Sequence, residues 1–323
     1  LPKGVLQQDI DDILALGVIL KTNSPIKDPA QLLKQGYDAV CLATGISSRD
    51  LSLGIEGEHA AGVISAATFL RKINLGEPIT IGRRVVVVGG GITALDAAAV
   101  ARRLGAEDVY LVLERPRGEI PAYHWEMAAV EAEGIHLIED AVLNRILQKN
   151  GRLAGVELAK AGKGMVVDES GRRRSKIVPG TEFQIEVDTL IGTVGQFSDL
   201  SFLDAQFDDL SVDPQTLASE IPGLFVVGGR KTGASYIVEA VALGHRVASS
   251  IQRYLEQQPL AQPEREAIPV VKFTRQEIAQ RVLDGEIAVQ PRFEPALLPM
   301  EERVTSFREV VLGLTDRQAR AEA

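Results

Sequence analysis

The chain has 323 residues, 45% of them apolar and 24% charged, enough for about two domains and an ordinary globular core. Its net charge of −9 argues against nucleic acid or an anionic membrane surface as partner. No apolar run approaches the ~20 residues of a membrane span and Leu1 opens no signal peptide, so the cytoplasm is the expected compartment.

In chain order, residues 5–16 carry Val5, Leu6, Ile10, Ile13 and Leu14 at helical spacing, with Gly17 as a C-cap. Gly17 to Thr22 reads as a strand. Residues 37–45, YDAVCLATG, read as an apolar strand running into the small-residue turn Ala43-Thr44-Gly45. Cys41, the single cysteine, falls inside that run and is expected to be a buried structural thiol. One cysteine excludes a dithiol cycle, a cysteine-held iron–sulfur cluster and a zinc ribbon within this chain. The four histidines, His59, His124, His136 and His245, lack metal-ligand spacing. Residues 46–62 read as loop, and Ala66 to Asn74 as a short helix.

Residues 85–106, VVVVGGGITALDAAAVARRLGA, say most. Val85 to Val88 is a β-branched run suited to a parallel strand buried on both faces. Gly89, Gly91 and Ala94 form a G-x-G-x-x-A pattern between that strand and a helix read from Thr93 to Leu104. The first glycine permits the turn, the second admits a pyrophosphate, and the small third residue lets helix and strand pack closely. The helix N-terminus then offers free N–H groups and a positive dipole end to phosphate. A second strand, Asp108 to Leu113, ends at Glu114, 25 residues after Gly89, where an acidic group meets the adenosine ribose.

A helix is expected to about Glu133, then a strand over residues 135–141. From Leu143 to Asp188 short alternating segments suggest an antiparallel meander, with Arg172-Arg173-Arg174 at a solvated hairpin tip. TLIGTVGQ, residues 189–196, repeats the strand-then-glycine design of residues 37–45. Residues 221–255 give another strand, glycine turn and long helix, in which Ile237, Val241 and Val247 read as a core stripe. From Pro259 prolines break the pattern, leaving short helices near Arg275–Leu283 and Thr315–Ala323 on an extended arm or linker.

The glycine-loop segment, EIPAYHWEMAAVEAEGI, LIGTVGQFSD and GLFVVGGRKTGASYIVEAVALGHRVA occur in that order, within a likeness that covers about residues 1–258. Together they resemble the flavoprotein family of the glutamate synthase small (β) subunit, which includes the NADPH subunit of ferredoxin:NADP transhydrogenase and dihydropyrimidine dehydrogenase. The resemblance implies an α/β fold of two dinucleotide-binding (Rossmann-like) domains, one inserted in the other. Residues 83–192 would be the NAD(P)-binding domain. Residues 1–82 and 193–258 would be a partial FAD-binding domain lacking its first βαβ unit, and residues 259–323 the C-terminal arm. A half domain would leave a sheet edge and a core face unpaired, so the expectation is a fragment of a longer flavo-iron–sulfur protein, or a chain whose missing parts lie on other subunits.

The same resemblance implies the site. Gly89, Gly91, Ile92, Thr93 and Ala94 would hold the nicotinamide dinucleotide, although the family often has Asn where Ile92 stands. Its NADPH users place two arginines after the second strand; here those positions read Glu114-Arg115, followed by Arg117. Glu114 would repel a 2′-phosphate whereas Arg115 and Arg117 would attract one, and the acid at the strand end favours NAD over NADP. Thr44 and Gly45 resemble a turn that packs against FAD, and Gly195 and Gln196 the turn beside the nicotinamide. Gly228 and Gly229 resemble a second FAD fingerprint, in which Arg230 replaces the usual acid; Ser235 and Tyr236 open the helix aimed at the flavin. No acid–base residue is implied, since hydride transfer needs stacked rings and excluded water, and Glu239 would serve in positioning only. The implied function is an FAD-dependent NAD(P)H oxidoreductase module with an iron–sulfur domain or subunit as electron partner. The alternative is a nucleotide-binding scaffold without flavin or turnover.

Overall fold

The computed structural model describes residues 3–45, 53–120, 124–167, 173–193, 203–204, 207, 210–228, 236–261, 272–289 and 291–322. Its strands are β1 (Val40–Leu42), β2 (Val63–Ser65), β3 (Arg84–Val88), β4 (Asp108–Val112), β5 (His136–Ile138), β6 (Ala141–Lys149), β7 (Arg152–Val167), β8 (Arg173–Ile177), β9 (Phe183–Ile185), β10 (Thr189–Gly192) and β11 (Leu224–Val226). The helices, in the same numbering scheme, are α1 (Lys3–Ala15), α2 (Ala30–Lys34), α3 (Ala66–Leu75), α4 (Ile92–Arg103), α5 (His124–Ala132), α6 (Ile237–Leu255), α7 (Arg275–Leu283), α8 (Met300–Arg303) and α9 (Asp316–Glu322).

The larger body is a five-stranded parallel sheet of order β2-β10-β3-β4-β5. β3 is buried over Val85–Val88 because both faces are covered, which is why its sequence is continuously apolar rather than alternating. On one face Val85, Val87, Val109, Leu111 and Ile191 pack under α3, α4 and α5. α4 fits closely because the residues it turns inward are mostly alanine. On the other face Val86, Val88, Val112 and Leu190 meet the inner side chains of the antiparallel β6–β9 ribbon, among them Leu143, Ile146, Val156 and Leu158. The molecule is therefore helix, sheet and ribbon in three layers at this end, and the expected meander is present with β7 as its central strand.

A second, smaller core surrounds the parallel pair β1–β11. α2 covers one side through Leu32 and Leu33 against Val40 and Leu224, while α6 covers the other through Leu243 and Val247 against Phe225. The α/β class with parallel sheets is as expected from the sequence.

Three expectations are corrected here. Gly17–Thr22 forms no strand; Val18, Ile19 and Leu20 are exposed and no described strand lies beside them. Cys41 is exposed, because this two-stranded sheet is covered incompletely, although nearby protein atoms still push its thiol pKa above the ordinary value. Of the α6 stripe only Val247 is core, while Ile237 and Val241 face outward at 73% and 54% exposure.

The arm is anchored. Residues 296–298 and 310–312 pair as a small loop, burying Leu298. Arg303 at the end of α8 reaches Glu133 beyond α5 at 3.0 Å, where Arg103 also binds both carboxylate oxygens at 3.0 and 3.1 Å. Arg103 Nε further donates to the Arg303 carbonyl at 2.8 Å. The Glu133 and Arg303 side chains are only 3% and 6% exposed, so this triad is a buried ion cluster. Removing its single anion would leave two buried cations facing each other, a change that costs about 3–5 kcal/mol in comparable sites. Glu133→Ala is therefore expected to speed amide hydrogen exchange across residues 296–312. Unchanged exchange there would show that the triad does not hold the arm.

Candidate functional site

The carboxyl ends of β3 and β10 point the same way, and β3 continues towards β4 on one side while β10 flanks it on the other. That is a switch in strand order, and ligands of open parallel sheets bind outside such a point. The chemistry there starts from one carbonyl. Val88 O accepts from the Thr193 amide at 3.0 Å and from the Thr193 hydroxyl at 2.6 Å. On the other side, the Gly89 amide donates to Val112 O at 3.0 Å. Gly89 thus remains in register with β4 while its own α-carbon lies against Thr193, with φ at +138°. A Cβ at Gly89 would fall 1.6 Å from Thr193 Oγ1.

Gly91 is different. It is the N-cap of α4, in extended conformation, and a Cβ built on it meets nothing within 4 Å. Its carbonyl accepts from the amides of Ala94 and Leu95. The amides of Ile92 and Thr93 have no hydrogen-bond partner among the described residues. The result is an open, donor-lined cradle at the positive end of a helix, a setting that favours phosphate. Ala94 is fully buried beneath it, as the close helix–strand contact requires.

The positions after β4 are resolved by tertiary partners. Arg117 is fully engaged: its guanidinium binds Glu131 at 2.9 and 3.0 Å and Glu139 at 2.9 Å, and its amide donates to Glu139 as well. These bonds hold the Glu139 carboxyl below its ordinary pKa, so it stays ionised at neutral pH and keeps Arg117 occupied. A contact of Arg117 with a 2′-phosphate would require it to exchange these carboxylate partners. Glu114 is half-buried and its Oε2 lies 3.4 Å from the Ser175 hydroxyl and 3.5 Å from the Ser175 amide. Arg115 is exposed and has no partner among the described residues. Ser175 also borders a cleft of about 580 Å³ lined by Gly54, Val142, Asn144 and Lys176 among others.

At the β1–β11 pair, Thr44-Gly45 and Gly228 follow the two parallel strands and come together. Gly45 and Gly228 both have positive φ, at +69° and +75°, and a Cβ on Gly228 would sit 3.8 Å from the Gly45 α-carbon. Tyr236 precedes α6, where its amide donates to the Glu239 carboxylate at 3.1 Å. Glu239 therefore caps the helix. Gly195, Gln196, Gly229, Arg230 and Ser235 lie outside the described residues. Sequence reasoning missed Thr193 and Ser175; the first stood within the strand-then-glycine repeat, and nothing local marked the second.

Residues 12–250 match the profile of a family described as pyridine nucleotide-disulphide oxidoreductase. The chain belongs to this family. Over its whole length it is 38% identical to the NADP(+)-dependent formate dehydrogenase subunit beta of Moorella thermoacetica and 32% identical to the NADPH-Fe(3+) oxidoreductase subunit beta of Geobacter sulfurreducens, covering 47% and 53% of those proteins. It spans about half the length of these relatives. The glutamate synthase [NADPH] small chain of Azospirillum brasilense is 28% identical over 79% of this chain and 57% of its own, which bears out the resemblance read from the motifs. Among solved structures, FprA of Mycobacterium tuberculosis superposes with a TM-score of 0.54 at 18% identity, covering 71% of this chain and 66% of its own, a likeness of fold.

The two glycines of the cradle should separate under substitution. Gly89→Ala is expected to destabilise the protein by more than about 1–3 kcal/mol, from strain at positive φ together with the Thr193 collision. Gly91→Ala should leave the melting temperature unchanged within error. Equal effects on thermal melting would contradict the geometry.

Proposed function

We propose that this chain is the electron-transfer module of an FAD- and NADP(H)-dependent oxidoreductase. In this reading residues 83–192 bind the nicotinamide dinucleotide, residues 1–82 and 193–258 belong to the FAD-binding part, and residues 259–323 form the arm. The observation that carries it is the cradle at Gly91: open backbone, with the amides of Ile92 and Thr93 unpartnered among the described residues, at the switch point of a parallel sheet.

The residues present fit both groups. Gly89, Gly91, Ile92, Thr93 and Ala94 would hold the pyrophosphate of the nicotinamide dinucleotide, with Glu114 and Arg115 at its ribose. The paired turns Thr44-Gly45 and Gly228 leave the close backbone approach that an extended dinucleotide needs, and fit FAD; Gly229, Arg230, Ser235 and Tyr236 would complete that site, with Gly195 and Gln196 beside the nicotinamide. When bound, the two groups supply hydride transfer between nicotinamide and flavin and the conversion of an electron pair to single electrons. The chain's own share is orientation: backbone amides fix the phosphates.

NADP rather than NAD is the reading we adopt. The NAD preference read from Glu114 finds no support among the relatives, whose names carry NADP(+) or NADPH. Locally, one oxygen of Glu114 lies against Ser175 whereas Arg115 is exposed and without a partner among the described residues. The relatives are named as subunits, which supports a partner subunit as electron acceptor or donor, and the motif resemblance makes iron–sulfur centres outside this chain the expected relay. No helix among the described residues is long and apolar enough to cross a membrane; a cytoplasmic setting remains part of the proposal.

The test is a visible absorption spectrum of the natural protein containing this chain, recorded anaerobically with NADPH and separately with NADH. A flavin band bleached faster by NADPH is expected. A colourless protein that still binds nucleotide would overturn the oxidoreductase reading in favour of a scaffold.

A further inference from the structure

Ser175 is 8% exposed, and Met165, opposite it across the β7–β8 ladder, offers only a thioether sulfur at 4.0 Å. The register shift between Gly162 and Met165 comes just before this pair, a kind of irregularity that re-aims side chains. The strong acceptor within reach of the Ser175 hydroxyl is the Glu114 carboxylate, 61 residues earlier, and the Ser175 amide converges on the same oxygen. Each contact is long for a hydrogen bond, yet both draw one oxygen of Glu114 to the ribbon.

We propose that Ser175 is a positioning residue that sets the 2′-specificity of the dinucleotide site by holding Glu114 on the ribbon. The inference rests on the reading of the α4 cradle as a nicotinamide dinucleotide site. An acid at the end of the second strand selects an unphosphorylated ribose by accepting from its hydroxyls, and it repels a 2′-phosphate. With Oε2 drawn towards Ser175, Glu114 presents chiefly its other oxygen, Oε1, to a ribose, so that it accepts from the hydroxyls through one oxygen rather than two. Two exposed cations adjoin this pair in the chain, Arg115 next to Glu114 and Lys176 next to Ser175. A charge-assisted bond from Arg115 to phosphate would outweigh the restrained carboxylate. The site thus keeps an acid that signals one cofactor while its tertiary partner permits the other.

The experiment measures dissociation constants for NADP+ and NAD+ by titration calorimetry on the natural protein and on Ser175→Ala, Glu114→Gln and the double variant. Ser175→Ala is expected to shift the ratio of the two constants towards NAD+ by roughly tenfold, the scale of a hydrogen bond to a charged group. Glu114→Gln should shift it the other way, and in that background Ser175→Ala should have no further effect. Ser175→Thr, which restores the hydroxyl, guards against a mere packing defect and should return the parental ratio. An unchanged ratio in Ser175→Ala, or the same shift without the Glu114 charge, would overturn the role of Ser175 while leaving the nucleotide site standing. A parent protein that binds neither nucleotide would instead remove the site reading, and this inference with it.

Discussion

The carbonyl of Val88 is where the structure is most constrained. It takes two hydrogen bonds from Thr193, which ties the end of β10 to the end of β3 and brings the threonine side chain against Gly89. No side chain fits at Gly89, the backbone there must adopt positive φ, and the chain can leave the sheet only by turning into α4. The rest of the site follows. Because β10 is fastened on one side and β4 on the other, the helix N-terminus emerges over the point at which strand order switches, and its first amides have no hydrogen-bond partner among the described residues. A parallel sheet buried on both faces supplies the rigidity, since neither helix layer nor ribbon can shift without opening apolar contacts.

The ribbon is more than a cover. Its inner face completes the sheet's second core, while β8 brings Ser175 to the loop after β4. One element thereby serves packing and the electrostatics of the ribose end. Arg117 shows the complementary arrangement, a cation drawn away from the site by two carboxylates at Glu131 and Glu139. Of three charged side chains in a four-residue stretch, Arg115 is the one without a partner among the described residues. The arm adds a long-range tie, since Arg303 joins the ends of α4 and α5 through Glu133, although it departs from the smaller core at the end of α6.

What could be read from the sequence was what local spacing determines. The Val85–Val88 run, the G-x-G-x-x-A pattern, the change to antiparallel ribbon after Leu143 and the helix at Arg275–Leu283 each carry their cause within a few residues. What could not be read depends on partners far along the chain. Arg117 looked free because its carboxylates stand 14 and 22 residues away. The contact of Glu114 with Ser175 could not be read because Ser175 lies on a ribbon whose register includes an irregularity. Gly17–Thr22 has strand-like residues but no neighbour to complete a ladder among the described residues, and propensity alone makes no sheet. Cys41 and the outer α6 positions were misread for a related reason: their apolar neighbours in sequence implied a core, while the two-stranded β1–β11 body covers only part of its surface.

The central claim is that the amides at the start of α4 receive the pyrophosphate of a nicotinamide dinucleotide. Residue-resolved amide hydrogen exchange with and without NADP+ tests it most directly, because those amides have no partner among the described residues to slow them in the free protein. The account predicts strong protection of Ile92 and Thr93 on adding NADP+, with residues 296–312 of the arm unaffected. Unchanged exchange at both residues, with saturating nucleotide bound and protection appearing elsewhere, would contradict it.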